Sequence, residues 1–208
     1  MSEVFSPSSR SLQDRFDTRR LADSIAERII KDSISDEDHA FIEARDMFFL
    51  ATVDEAGAAN CSYKGGDPGF VQVVDERTIA FPNYDGNGMY MSMGNVLETG
   101  SIGMLFIDFE NQRRMRLNGQ ASVDWDDPLM AEYPEAQFIV RVSVQEVFPN
   151  CPRYIHKMQL VERSHFVPHV GAETPMPDWK LNQDRDVLPE SDQTKIAKAS
   201  GKDSNRSH

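Results

Sequence analysis

Leu21, Ala22, Ile25, Ala26 and Ile29 recur at three- and four-residue spacing among Arg19, Arg20, Glu27 and Lys31, which predicts an amphipathic helix. Ser35, with Asp38 three residues on, has the form of an N-cap with a capping-box variant. It opens a second helix that carries Ala40, Phe41 and Ile42 and ends near Asp46. From there the period changes. Residues 47–53 form a continuous apolar run with a β-branched end, Asp54-Glu55-Ala56-Gly57 is a turn, and residues 58–64 return as a strand. Residues 70–74 and 78–81 are two further strands joined across Asp75-Glu76-Arg77, whereas residues 89–98 lack alternation and read as a helix entered from Gly86-Asn87-Gly88. Strands follow at 102–109, 112–123 and 138–147. The last sets Phe138, Val140, Val142 and Val144 against Ile139, Arg141, Ser143 and Gln145 on the other face.

Many short strands with few helices between them indicate an antiparallel barrel rather than a parallel α/β sheet. Beyond about Val170 the periodicity is lost, Pro175, Pro177 and Pro189 appear, and a polar run continues to His208, which predicts an irregular tail. The expected organisation is an N-terminal helical segment, 1–46, packed on a barrel at 47–157, with a largely irregular C-terminal extension at 158–208. No internal repeat is present.

Composition narrows the function classes. A chain of 208 residues that is 39% hydrophobic can bury one sizeable core. A net charge of −12 argues against general binding of nucleic acid or anionic membranes, although a local basic patch can still hold one small anion. No apolar run approaches the roughly 20 residues of a membrane span, and the early residues are charged where a signal peptide is apolar, so a cytoplasmic protein is expected. Cys61 and Cys151 are expected as free thiols.

Candidate chemistry lies in four blocks. Arg113-Arg114-Met115-Arg116-Leu117-Asn118-Gly119 puts three guanidiniums within four residues of a strand. Strand alternation sends Arg114 and Arg116 to one face and Met115 and Leu117 to the other, and two cations on one face suit a phosphorylated ligand. Arg113 is explained by ordinary surface pairing. Ser62-Tyr63-Lys64-Gly65-Gly66 ends a strand in a glycine turn beside one lysine. Phe81-Pro82-Asn83-Tyr84-Asp85-Gly86-Asn87-Gly88 leads into a helix whose first amides and dipole can cradle phosphate, Asn87 adding a donor. Asn150-Cys151-Pro152-Arg153-Tyr154-Ile155-His156-Lys157 gathers a thiol, an imidazole, two cations and a phenol; Arg153 is the better anion contact, and Cys151 would need a lowered pKa to act as a nucleophile. His165 and His169 flank Pro168 without a third ligand, so no metal is expected. A nucleophile elbow, a Walker loop and a full dinucleotide fingerprint are all absent.

In order and setting, the first three blocks resemble the FMN-binding split barrel of the pyridoxamine 5'-phosphate oxidase-like family over residues 40–155. That family's version of the arginine block reads Arg-Gln-Val-Arg-Val-x-Gly. The resemblance implies a mainly β fold with flanking helices, a six-stranded antiparallel split β-barrel. It also implies a homodimer with FMN at the subunit interface, and hydride transfer between flavin N5 and a small organic substrate.

Ser62, Tyr63 and Lys64 match the strand end that lines the isoalloxazine ring, where Lys64 would stabilise negative charge near N1 of reduced flavin. Phe81 and Tyr84 keep the family's Phe-x-x-Tyr, with Asn83 between them. Gly86-Asn87-Gly88 replaces the Ser-Arg-Lys that holds phosphate, leaving Asn87 and loop amides as donors and the charge to Arg114, Arg116 or Lys64. Arg114 stands where the family has the Gln that faces the ring. Related flavoproteins carry Asn-Cys-Pro-Lys-Tyr-Ile, which implies that this stretch lies against the flavin or over the substrate cavity, with Arg153 and Tyr154 as candidate substrate contacts. The departures leave pyridoxamine 5'-phosphate unassigned as substrate. A flavin-binding or redox-sensing protein without turnover stays open, as does a barrel holding F420 or haem with His156 or His165 as axial ligand.

Overall fold

The computed structural model describes residues 4–203, and the end of the expected irregular tail, 204–208, lies outside the described residues. Seven strands, β1 (Met47–Val53), β2 (Ala59–Gly65), β3 (Gln72–Asp75), β4 (Thr78–Asn83), β5 (Ser101–Asp108), β6 (Arg113–Asp124) and β7 (Phe138–Asn150), form one sheet in the order β2-β1-β5-β6-β7-β4-β3. Every pairing is antiparallel. The resemblance implied six strands and the sheet has seven; β3, four residues long at its edge, pairs only with β4 and shifts register between Val73 and Asp75. It is shorter than the apolar run there because Phe70 and Val71 turn into the core before pairing begins. The core is aromatic at its centre: Phe48 stacks on Phe70 at 5.8 Å and meets Phe81 at 5.1 Å and Phe106 at 5.4 Å between centroids.

Four helices flank this sheet: α1 (Pro7–Arg15), α2 (Arg19–Ile29), α3 (Asp36–Glu43) and α4 (Met91–Thr99). The capping box opens α3 as the sequence indicates, Ser35 Oγ accepting from the Asp38 N–H while Asp38 accepts from the Ser35 N–H. α3 buries Phe41 and Ile42, whereas α1 and α2 bury no residue. Leu21 and Ile25 of α2 stay 57% and 38% exposed. α1 gave no periodic apolar signal; its start is set by Ser6 as N-cap with proline in the first turn.

Two features pin the long strands. Asp127, buried, accepts from the Arg141 guanidinium and from the Leu129 N–H, which fastens the β6–β7 connection to β7. The Arg141 guanidinium holds the Asp127 carboxyl below the usual carboxylate value. Between Asn118 and Gly119 the β6–β7 ladder shifts register, and a Cβ on Gly119 would lie 2.3 Å from the Ser143 carbonyl oxygen, so only glycine fits.

The chain divides into two compact units at Glu162/Arg163. The second carries α5 (Asp178–Leu181) and α6 (Glu190–Asp203), so the expected irregular extension holds a 14-residue helix. α6 starts directly after Pro189 with Glu190 and Asp192 in its first turn, where carboxylates favour the helix dipole. Lys180 and Asp192 form a buried ion pair at 2.7 Å within this unit. No helix among the described residues is long and apolar enough to cross a membrane.

Candidate functional site

Directly opposed residues of an antiparallel sheet share a face. Lys64 opposes Phe48, which opposes Phe106, which opposes Met115, so Lys64 projects to the core side of the edge strand β2. Ser62 and Asn60, two and four residues earlier, share that side. α4 lies along them: Ser92 Oγ accepts from Asn60 Nδ2 at 2.8 Å and is 2.9 Å from Ser62 Oγ. Farther along α4, Asn95 donates to Thr52 Oγ1 at 3.0 Å and Thr99 to the Val53 carbonyl at 2.8 Å. Thr52 and Val53 oppose Asn60 and Ala59, so the axis from Thr99 back to Ser92 runs up β2 and aims the helix start toward Lys64.

That helix start is open. Tyr90 takes a left-handed conformation (φ 48°) at the N-cap position and supplies no side-chain cap to the first-turn amides. Asn87, exposed, accepts from the Met89 N–H at 3.0 Å, closing the loop locally. Asn83 is buried and its amide is committed to the Tyr84 carbonyl and to Gln137 Oε1. Tyr90 donates to the same Gln137 oxygen at 3.0 Å, so Gln137 anchors the loop at both ends. Burial, with the charge of Asp67 adding to it, pushes the Tyr84 phenol up to about 12. Met89, Tyr90 and Met91 leave apolar surface exposed around the loop.

Lys64 itself is half-buried, and its ammonium has no partner among the described residues. Burial lowers its pKa from the ordinary lysine value. Phe81, a sequence-expected contact, is 1% exposed in the core against Phe48, so its side chain reaches no ligand.

The other sheet face carries the remaining candidates. Tyr63 packs edge-on against Phe49 at 6.1 Å, Phe49 opposes Leu105, and Leu105 opposes Arg116; Arg114 opposes Ile107 on one side and Asn150 on the other. Arg114 and Arg116 therefore share a face, as alternation requires, but it is the face opposite Lys64 and Ser62. Within a single chain, therefore, these two cations do not converge with Lys64. Arg113 is spoken for, 3.0 Å from Glu37 and stacked over Phe41. Arg116 is exposed without an ion pair among the described residues. The Nε of Arg114 is buried with no acceptor, and its Nη2 lies 3.9 Å from Cys151 Sγ. Arg153 and Tyr154 occupy the turn after β7, Tyr154 at φ 70° and 92% exposed.

A cavity of about 1390 Å³ also opens on this outer face, lined among others by Glu27, Lys31, Ala51, Gly103, Asn118 and Glu146. None of the residues read from the sequence as contacts lines it.

Pyridoxamine 5'-phosphate oxidase is the family whose sequence pattern matches, over residues 34–161. The chain belongs to this family. Its mainly β sheet with flanking helices is the family's split barrel, and the match ends before the second compact unit begins. Among solved structures, HupZ of Group A Streptococcus is 17% identical, with 61% of this chain and 99% of that one covered, at a TM-score of 0.46. An FMN-binding protein of Syntrophomonas wolfei is 14% identical over 68% and 96% of the two chains, at 0.43. HutZ, the haem storage protein of Vibrio cholerae, is 18% identical over 55% and 93%, at 0.41. None of the curated proteins matches the sequence. Two residues that organise the surroundings of Lys64 and the loop before α4, Ser92 and Gln137, went unread in the sequence, because a serine inside a helix and a glutamine before a strand carry no pattern of their own.

Proposed function

We propose that the protein binds FMN between two copies of the chain and acts as an oxidoreductase on a small organic substrate. The observation that supports this reading is Lys64, a desolvated ammonium without a counter-charge, placed on the strand toward which an uncapped helix start is aimed. A half-buried positive charge toward which free amides point becomes favourable once an anion joins it. FMN fits these donors: the Gly86-Asn87-Gly88 amides and the first turn of α4 would take the phosphate, and the β2 end from Ser62 to Lys64 would line the ring. Gln137 and Asn83 would position the loop without touching the ligand.

Arg114 and Arg116 face away from Lys64, so a site that uses all three cations needs the outer face of a second copy against the loop of the first. A twofold dimer supplies this twice over. Bound FMN would supply hydride transfer at N5 to or from the substrate. The chain's part is to hold the anionic cofactor, exclude water with the apolar surface of Met89 to Met91, and stabilise negative charge through Lys64. Arg153 and Tyr154, exposed on the turn after β7, are the side chains offered to the substrate.

The test is the visible absorption of the purified protein together with mass spectrometry of the molecule released on denaturation. A flavin spectrum with the mass of FMN is expected, and reduction by a nicotinamide cofactor would favour turnover over passive binding. A colourless protein that takes up no added FMN, or one that releases F420 or haem instead, would overturn the assignment.

A further inference from the structure

We propose that the open edge of β2 is a pairing surface for a second copy of this chain, whose residues 159–162 add to it as a further strand. β2 ends the sheet and pairs with β1 alone among the described residues. The register shows which of its backbone groups are spent. The Gly66 N–H donates to the Asp46 carbonyl and the Asp54 N–H to the Ala58 carbonyl, and both pairs continue the β1–β2 register. Bonded pairs recur at every second residue of an antiparallel ladder, so Asn60, Ser62 and Lys64 turn their backbone groups to β1 while Ala59, Cys61, Tyr63 and Gly65 turn theirs outward. On that side these four have no backbone partner among the described residues. The other end of the sheet is closed to pairing: β3 is four residues long, shifts register between Val73 and Asp75, and has its Val73 N–H taken by Glu43 Oε1. Short, irregular, covered edges are how sheets suppress association. β2 instead runs seven residues in unbroken register without proline, and its one charge, Lys64, stands next to its end.

The occupant lies in the same sequence. Residues 155–164 form no helix, strand or turn, and Gln159, Leu160, Val161 and Glu162 have no backbone partner among the described residues. Met158 and Leu160 are exposed, and Val161 is 98% exposed. Apolar side chains on a segment with unspent N–H and C=O groups suit an open edge, where backbone bonds give affinity and alternate side chains give fit. One set of these side chains would fall beside Tyr63, itself exposed on the outer face. The arm leaves the body where the Met158 N–H donates to the Phe109 carbonyl, just past β5. β1 stands between β5 and β2, and at that end of the sheet Arg45 is paired with Asp108 and Gly66 with Asp46, which obstructs the arm's path to its own edge. A second copy offers the same edge without that obstacle, and a twofold exchange fills both edges at once. Ser62 and Lys64 keep their side chains free for a ligand, so the pairing does not depend on flavin binding.

Cys61, exposed on this edge, reports the pairing. Full chains with Cys151→Ser that keep Cys61 are mixed with full chains that combine Cys61→Ser and Cys151→Ser with one of Gln159→Cys, Leu160→Cys, Val161→Cys or Glu162→Cys. After mild oxidation of the flavin-free protein, the yield of the mixed disulfide, identified by mass, should be high at every second arm position and low between, because opposed residues of paired strands share a face. Leu160→Pro, added to the Val161→Cys or Glu162→Cys chain, removes one arm donor and no bond within the chain, and most of the cross-link should be lost. In a chain that carries both Cys61 and the best-linking arm cysteine, the disulfide should join two chains. No cross-link, equal yield at all four positions, a yield unmoved by Leu160→Pro, or a disulfide closed within one chain would overturn the proposal.

Discussion

Lys64 is a positive charge that no other described residue of its chain answers. Asp127 and Asp108 show the opposite condition. Burial raises the Asp108 carboxyl, but hydrogen bonds from Asn111 and the charge of Arg45 outweigh it and leave the group below its usual value. For Lys64 nothing offsets burial, so its folded pKa lies below its unfolded one. Between those two values the unfolded state binds more protons, and stability gained from this residue rises with pH up to the ordinary lysine value. Lys64→Met should abolish that rise and lift the melting temperature of flavin-free protein at neutral pH by about 2–4 °C. The same change should weaken FMN binding by about tenfold or more, as expected for a lost charge-assisted contact. Melting curves across pH and a flavin titration check both; a variant that binds FMN as well as the parent would show that Lys64 is not a ligand contact. A lysine at a strand end is visible in the sequence. Its lack of a partner is not, since that depends on every element packed around it.

Among the strands, β6 carries the most consequence, because its register aims Arg114 and Arg116. Its bulge at Gly119 leaves no room for a methyl group, so Gly119→Ala should destabilise the protein by about 1–3 kcal/mol or more, measured by chemical denaturation. An unchanged midpoint would mean that β7 yields at Ser143. Apolar and alternating runs made β1, β5, β6 and β7 legible to within three residues, because both are local properties of strands packed on a core. α1 and α6 were not legible. α1 is held by its cap and by ion pairs such as Arg10–Asp23 rather than by an apolar stripe, and α6 is likewise a polar helix.

The two halves of the proposed site lie on opposite faces of one sheet, and this makes assembly testable. If each site takes Lys64 from one copy and the arginines from the other, chains with Lys64→Met and chains with both Arg114→Ala and Arg116→Ala should each bind FMN poorly as homodimers. Co-expressed, a mixed dimer should regain one intact site of its two, read as flavin content of doubly tagged protein. Mixed dimers that bind no better than either parent would place the arginines outside the site. The strand periods, the capping box of α3, the acidic balance and the three blocks that resemble the pyridoxamine 5'-phosphate oxidases were all readable from residue order, because each rests on neighbours within a few positions. Alternation also placed Arg114 with Arg116 and away from Met115. It could not say which side of β6 corresponds to which side of β2, since that relation passes through β1 and β5 and depends on long-range pairing. Packing alone therefore separated Lys64 from the arginines, seated Phe81 in the core, and brought the Arg114 guanidinium to Cys151.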